Sequence, residues 1–436
     1  MTRYHLGPFT KGLVVESPSS KLDSFMETHG MEMIRLSYVP TEEQLIEELQ
    51  KHGAQVLFKR SKVPVTRQVI ESCTDLMAIQ LCCIGDDSID KNACSDHGVM
   101  IFNDPVSNGR SVVELVIGNL ITLSRRLYET NIRCKQGLWD KNHQGRFEVL
   151  GKTLGILGLG NIGRSVARIA QELGMTILFY DTRQVSIELG KELGWKCMDS
   201  IEELFRESDC LTLHVSAQDI KGMTNEGLIG RDLFSQFAQN RQNSPKIFIN
   251  FSRGFLHRPE DLIQAVEQGF VRYAAVDVYP HEPRKDEAWS NPYENCENIV
   301  GFPHIGASTQ EAQPRIAKRV AETLGAFSHF GAIRDTPFRP RLELSISDGL
   351  LKGESYLLVL HSTARGTKRA IDEAIYEAGA SNLSSVHTDF NNYGFAYDLA
   401  KLDRPLDPKD IDVIVKRARE LTGDDKAIRS VRIINA

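Results

Sequence analysis

Arg253, Glu282 and His304 each stand at or just after the end of a short apolar run. The phrases are Asn250-Phe251-Ser252-Arg253-Gly254, His281-Glu282-Pro283 and Pro303-His304-Ile305-Gly306. An imidazole titrates near neutrality and can take a hydroxyl proton as a carbonyl forms. A carboxylate can orient that ring and stabilise its cation. A guanidinium can grip a substrate carboxylate at two points and polarise the neighbouring carbonyl. The three together suit hydride transfer at the 2-position of a small anionic 2-hydroxy or 2-oxo acid. Spacing alone leaves His281 as a rival to His304, because it adjoins Glu282 directly.

A nucleotide loop lies upstream at Gly158-Leu159-Gly160-Asn161-Ile162-Gly163. G-x-G-x-x-G on its own is a weak signal, but here an expected strand (153–157) enters it and an expected helix leaves it, with Val166, Ile169, Ala170 and Leu173 inward. Gly158 permits the tight turn, Gly160 lets backbone approach a pyrophosphate, and Gly163 allows close helix–strand packing. The helix start offers free N–H groups and partial positive charge to phosphate. The following strand ends at Asp181, whose carboxylate suits the two ribose hydroxyls of NAD and would repel the 2′-phosphate of NADP; Arg183 pulls the other way.

These residues need a scaffold that brings strand ends together. Strands are expected at 153–157, 176–180, 210–215, 246–250, 274–278 and 299–302, with helices between them. That pattern describes a doubly wound parallel α/β sheet, a Rossmann domain, whose loops converge on one ligand crevice. Upstream, strands at 55–58, 78–83 and 99–102 alternate with helices, one opened by a capping box at Thr41-Glu42-Glu43-Gln44. A long helix is expected over 111–130. Pro337 and Pro340 mark a linker. Beyond it, strands at 355–361, 384–389, 395–399 and 428–433 and helices at 367–379 and 408–421 spell βαββαβ, a ferredoxin-like module. The stretch 238–245 reads as an insertion.

The chain has 436 residues, 41% of them hydrophobic, which suffices for two or three domains. A net charge of −6 argues against a nucleic-acid partner. The eight cysteines form no C-x-x-C pair and fit free thiols in a reducing cytoplasm. The most apolar run, 112–123, contains Glu114 and Asn119 and reads as a buried helix, not a membrane span. No metal site is expected.

Ser252-Arg253-Gly254, Asp277-Val278 with Glu282-Pro283, and Pro303-His304-Ile305-Gly306, in that order, resemble the D-isomer-specific 2-hydroxyacid dehydrogenase family. Supporting phrases are Arg60-Ser61-Lys62, Cys83-Ile84-Gly85, Phe102-Asn103, Arg110-Ser111-Val112 and Trp139 with Lys141. The resemblance implies a flavodoxin-like substrate-binding domain from 1–107 and 308–335, an NAD-binding domain at 108–307, a linker at 336–345 and an ACT-type regulatory domain at 346–436. It implies NAD contacts from the glycine loop, including Asn161 and Ile162, and from Asp181, His214, Val215, Phe251, Ser252, Arg253, Asp277, His304 and Gly306. Substrate contacts would come from Arg60, Ser61, Lys62, Cys83, Ile84, Gly85, Asn108, Lys141, Arg253 and His304, with Arg60, Lys62 and Lys141 on a phosphate. The expected reaction is oxidation of 3-phosphoglycerate in serine biosynthesis, by a homo-oligomer (tetramer or dimer). In the tail, His361 and Asn382 match effector positions, whereas Thr363 and Arg365 depart from the family pattern and leave the effector open. Two alternatives stand. Asp86 and Asp87, carboxylates where relatives carry uncharged residues, point to a different D-2-hydroxy acid, as in a 2-oxoglutarate reductase. The other is an NAD(H)-sensing binding protein.

Overall fold

Short apolar strands that are buried on both faces suit parallel pairing with crossover helices covering them. Two such sheets, a five-stranded sheet that is antiparallel but for one strand, and a two-stranded ribbon of Ile333–Arg334 with Glu343–Leu344 are found in the computed structural model, which describes residues 2–219, 222–283 and 287–436. The chain divides into two compact units, 1–107 with 313–436, and 108–312.

In the second unit, seven parallel strands run in the order Ile299–Gly301, Tyr273–Val276, Ile247–Asn250, Cys210–Leu213, Thr153–Leu157, Thr176–Tyr180 and Lys196–Cys197. The last has two residues and was beyond the reach of pattern reading. Strand order reverses between Thr153–Leu157 and Cys210–Leu213, the switch point at which a doubly wound sheet opens a crevice at its carboxyl edge. The helix expected over 111–130 is two helices, Gly109–Ser124 and Leu127–Lys135. The break is at Arg126, which turns left-handed (φ 57) and spends its guanidinium on Glu129 and the Gln144 carbonyl. The insertion has a structural role. Arg241 donates to the buried Asp209 carboxylate at 2.9 Å, at the amino end of Cys210–Leu213 and so opposite the nucleotide loop.

The first unit holds a five-stranded parallel sheet ordered Glu32–Arg35, Lys11–Val14, Val56–Lys59, Ala78–Leu81 and Met100–Phe102. Its first two strands were not expected. The capping box at Thr41 forms as its sequence predicts, opening the helix Glu42–His52. Helix Ala312–Phe330 leads to the ferredoxin-like sheet, in the order Ile428–Asn435, Ser355–Ser362, Phe395–Leu402, Asn382–Phe390. Arg3–Leu6, a strand for which there was no expectation, adds a fifth, parallel strand beside Ile428–Asn435. Arg3 is buried and donates to the carbonyls of Leu76 and His97, which satisfies its charge-bearing group. All eight cysteines are free, and among the described residues no helix is long and apolar enough to cross a membrane.

Candidate active site

The carboxyl ends of six neighbouring strands carry the residues singled out in the nucleotide domain. Thr153–Leu157 runs into Gly158, whose φ of 94 no residue with a Cβ adopts cheaply; a Cβ there would meet the His214 carbonyl at 2.7 Å. A Cβ on Gly163 would lie 2.2 Å from the Gly158 carbonyl, so this glycine sets how close the helix Asn161–Glu172 packs. Gly160 is different, because a Cβ there would meet nothing nearer than Arg183 at 3.6 Å. Its flank is open, and no side chain caps the helix start. The backbone at Gly160, Asn161 and Ile162 therefore fits a pyrophosphate.

Asp181 is buried at the end of Thr176–Tyr180 and accepts the Leu159 N–H at 2.8 Å, so it braces the loop. Burial alone would raise this carboxyl; bonds from the Arg183 side chain and N–H, and from Leu159, hold it below the usual carboxylate range. Arg183 lies 3.0 Å from Asp181, and that pairing occupies a guanidinium of the type suited to a 2′-phosphate. Asp181→Ala should free Arg183 and raise the NADP-to-NAD ratio of kcat/KM by about 10- to 100-fold, the scale of a charged hydrogen bond gained or lost. Paired kinetics with the two nucleotides measure it. An unchanged ratio would remove Asp181 from the discriminating contacts.

His214 and Val215 follow Cys210–Leu213. Burial pushes the His214 imidazole down to about 3, so it is neutral, 3.1 Å from the Thr212 hydroxyl. Beyond Ile247–Asn250, the buried Asn250 side chain shapes the turn that presents Arg253. Its Nδ2 donates to the Arg253 carbonyl at 2.9 Å and its Oδ1 accepts the Ser252 N–H at 3.1 Å. Gly254 is required by crowding: a Cβ would stand 2.0 Å from the Tyr279 carbonyl carbon. Phe251 is buried against Phe302.

Asp277 is fully buried and accepts the N–H groups of Ile305 at 2.8 Å and Gly306 at 2.7 Å. Burial raises its carboxyl against those two bonds. It thereby fixes the turn after Ile299–Gly301, where His304 is held at φ 54, a left-handed conformation unusual for any residue but glycine, asparagine or aspartate. The turn aims the ring at Glu282: His304 Nδ1 lies 2.8 Å from Glu282 Oε2. A carboxylate only accepts, so Nδ1 carries the proton and Nε2 keeps its lone pair for another partner. The rival His281 is 74% exposed and faces Glu287 instead. Geometry thus separates two histidines that spacing could not. The bracing roles of Asn250 and Asp277 were missed by sequence reading, which named Asp277 only as an NAD contact; an asparagine ending a strand gave no signal at all.

The residues matched to substrate contacts divide between the units. Arg60, Ser61, Lys62, Cys83, Ile84 and Gly85 lie in the first, Asn108 and Lys141 in the second. The 60–63 loop has a brace that sequence reading missed. Glu16, left-handed at φ 63, accepts the N–H groups of Arg60 and Val63. Lys59, wholly buried, donates to the Arg60 carbonyl at 2.7 Å and the Ser88 hydroxyl at 2.6 Å. Asp86 is paired with Lys91 at 2.8 Å, which compensates the carboxylate that motivated a different substrate. Asn103 donates to the Ile84 carbonyl at 2.8 Å and steadies the Cys83–Gly85 turn. In the tail, the structure does not bring His361 and Asn382 together. His361 pairs with Ala396, whereas Asn382 pairs with Leu402, opposite Ser355. Within one chain the two stand six strand positions apart, about 20 Å, so a single small effector cannot touch both.

The sequence profile of the D-isomer specific 2-hydroxyacid dehydrogenase NAD binding domain matches residues 117–306. Over 389 residues the chain is 31% identical to a putative D-3-phosphoglycerate dehydrogenase of Schizosaccharomyces pombe, covering 87% of this chain and 79% of that protein. It is 34% identical over 321 residues to a D-3-phosphoglycerate dehydrogenase of Haemophilus influenzae, covering 73% and 74%. Among solved structures, a glyoxylate reductase from Paecilomyes thermophila shares the fold with a TM-score of 0.65, 23% identity, and coverage of 76% of this chain and 98% of that one.

Proposed function

The chain belongs to the D-isomer specific 2-hydroxyacid dehydrogenase family, an NAD-dependent oxidoreductase, and from that premise we propose that it oxidises D-3-phosphoglycerate to 3-phosphohydroxypyruvate, the first step of the phosphorylated route to serine. The observation that carries the reading is the His304–Glu282 pair at 2.8 Å, with Nε2 left available as the base. The Gly158–Gly163 loop would hold NAD, which would supply the acceptor for the hydride leaving C2. His304 Nε2 takes the hydroxyl proton, and Glu282 orients the ring and stabilises the imidazolium that results. Arg253 holds the substrate carboxylate and polarises the forming carbonyl. Arg60, Lys62 and Lys141 bind the phosphate, and Glu16 sets the backbone from which Arg60 projects. The C-terminal module acts as an ACT-type regulatory domain in a homo-oligomer, and the protein works in the cytoplasm.

The test is the initial rate of NADH oxidation with 3-phosphohydroxypyruvate, hydroxypyruvate and 2-oxoglutarate side by side. The phosphorylated acid should be preferred. Arg60→Ala should raise its KM about 10- to 100-fold, one lost charged contact, and leave hydroxypyruvate unaffected. Preference for 2-oxoglutarate, with Arg60→Ala silent, would return the choice to another D-2-hydroxy acid. NADH binding without turnover of any 2-oxo acid would favour a sensor.

A further inference from the structure

The ferredoxin-like domain carries a side-chain cluster that the dehydrogenase reaction does not use. His387 and Asp398 are direct cross-strand partners, and His361 lies on the same face one strand further, opposite Ala396. His361 and Asp398 are both 2% exposed. His361 Nε2 is 2.8 Å from Asp398 Oδ2, and His387 Nδ1 is 2.9 Å from Asp398 Oδ1. The outer nitrogens also face acceptors: His361 Nδ1 lies 2.7 Å from the Ser362 carbonyl, and His387 Nε2 lies 3.2 Å from Asp389 Oδ1.

The two rings are stacked at 5.8 Å with their inner nitrogens turned to the same carboxylate, and Lys368 stands 3.1 Å from it. The outer nitrogens face the acceptors found behind metal-bound histidines, a backbone carbonyl for one ring and a carboxylate for the other. The donor atoms of His361, His387 and Asp398 lie within 4.8 Å of one another. Lys368 can yield its place, because Asp372, one turn along its helix, is also 3.1 Å away.

We propose that His361 Nε2, His387 Nδ1 and the Asp398 carboxylate form a binding site for a divalent transition metal. Two imidazoles and a carboxylate select the zinc, cobalt and nickel class over magnesium or calcium. A fourth position is left for water on the side of His387, whose side chain is 39% exposed. The ion would tie the edge strand Asn382–Phe390 to Phe395–Leu402 and Ser355–Ser362.

The full chain, stripped with a chelator and returned to chelator-free buffer, is titrated with cobalt chloride and followed by its visible d–d absorption. His387→Gln is the reference, since this partly exposed side chain can be changed without opening the core. Wild type should take up one equivalent more than the variant and show a band that zinc chloride displaces. Lys368→Met keeps all three ligands and removes the competing cation, so it should bind about tenfold tighter. Equal uptake and equal spectra for wild type and His387→Gln, both folded by circular dichroism, would overturn the site. Should His387→Gln not fold, the Lys368→Met comparison decides alone: unchanged cobalt affinity would equally overturn it.

Discussion

Replacing His304 by asparagine should lower kcat by about 10²- to 10⁴-fold, the usual range for a lost acid–base group, with NADH affinity nearly unchanged. Asparagine is the right replacement because it tolerates the left-handed backbone that His304 adopts at φ 54. The Ile305 and Gly306 N–H groups would still reach Asp277, so the turn persists. What disappears is a base within reach of the hydroxyl. Steady-state kinetics in both directions, with a fluorescence titration of NADH, separate the two quantities. Glu282→Gln should cost less, because it keeps a side chain that can accept from Nδ1 but loses the charge that stabilises the imidazolium. Full activity in the asparagine variant would hand the base's role to another group and reopen the case for His281, although its ring faces Glu287.

How much of this was readable depended on whether local pattern or long-range pairing decided the outcome. The nucleotide loop was legible because three glycines with three different steric reasons sit between a strand and an amphipathic helix. The structure supplies those reasons: positive φ at Gly158, an open flank at Gly160, backbone contact at Gly163. The six long strands of the nucleotide sheet were legible because each is a buried apolar run between turn residues. Lys196–Cys197 was not, since two residues carry no period. Arg3–Leu6 was not foreseen because four residues carry little pattern and its partner lies more than four hundred residues away. The helix break at Arg126 was hidden by continuing helical propensity on both sides, the turn being paid out in side-chain bonds to Glu129 and Gln144. The metal-ligating candidates share no spacing motif either, because three separate strands contribute one residue each. Glu16 was invisible for the same reason: it acts on backbone N–H groups at 60 and 63, which any residue would present.

Arg253→Ala should reduce kcat/KM by about 10²- to 10⁴-fold. Two charge-assisted hydrogen bonds to a carboxylate are worth roughly 1.5–3 kcal/mol each, so losing both removes about 3–6 kcal/mol of transition-state stabilisation. The guanidinium also donates to the Ser252 carbonyl at 3.1 Å. The loop keeps its other ties, from Asn250 to the Arg253 carbonyl and the Ser252 N–H and from the close packing of Gly254 on Tyr279, so the main loss is the substrate contact. Arg253→Lys is the sharper experiment. It keeps the charge and loses the fork, so a pure electrostatic role predicts near-complete rescue, whereas a two-point grip predicts recovery of only part of the loss. The grip also orients the carbon that delivers hydride, so the lysine variant should lose kcat as well as raise KM. A variant with raised KM and unchanged kcat would mean that Arg253 binds substrate and transition state equally, and the polarising role would then have to pass to another residue.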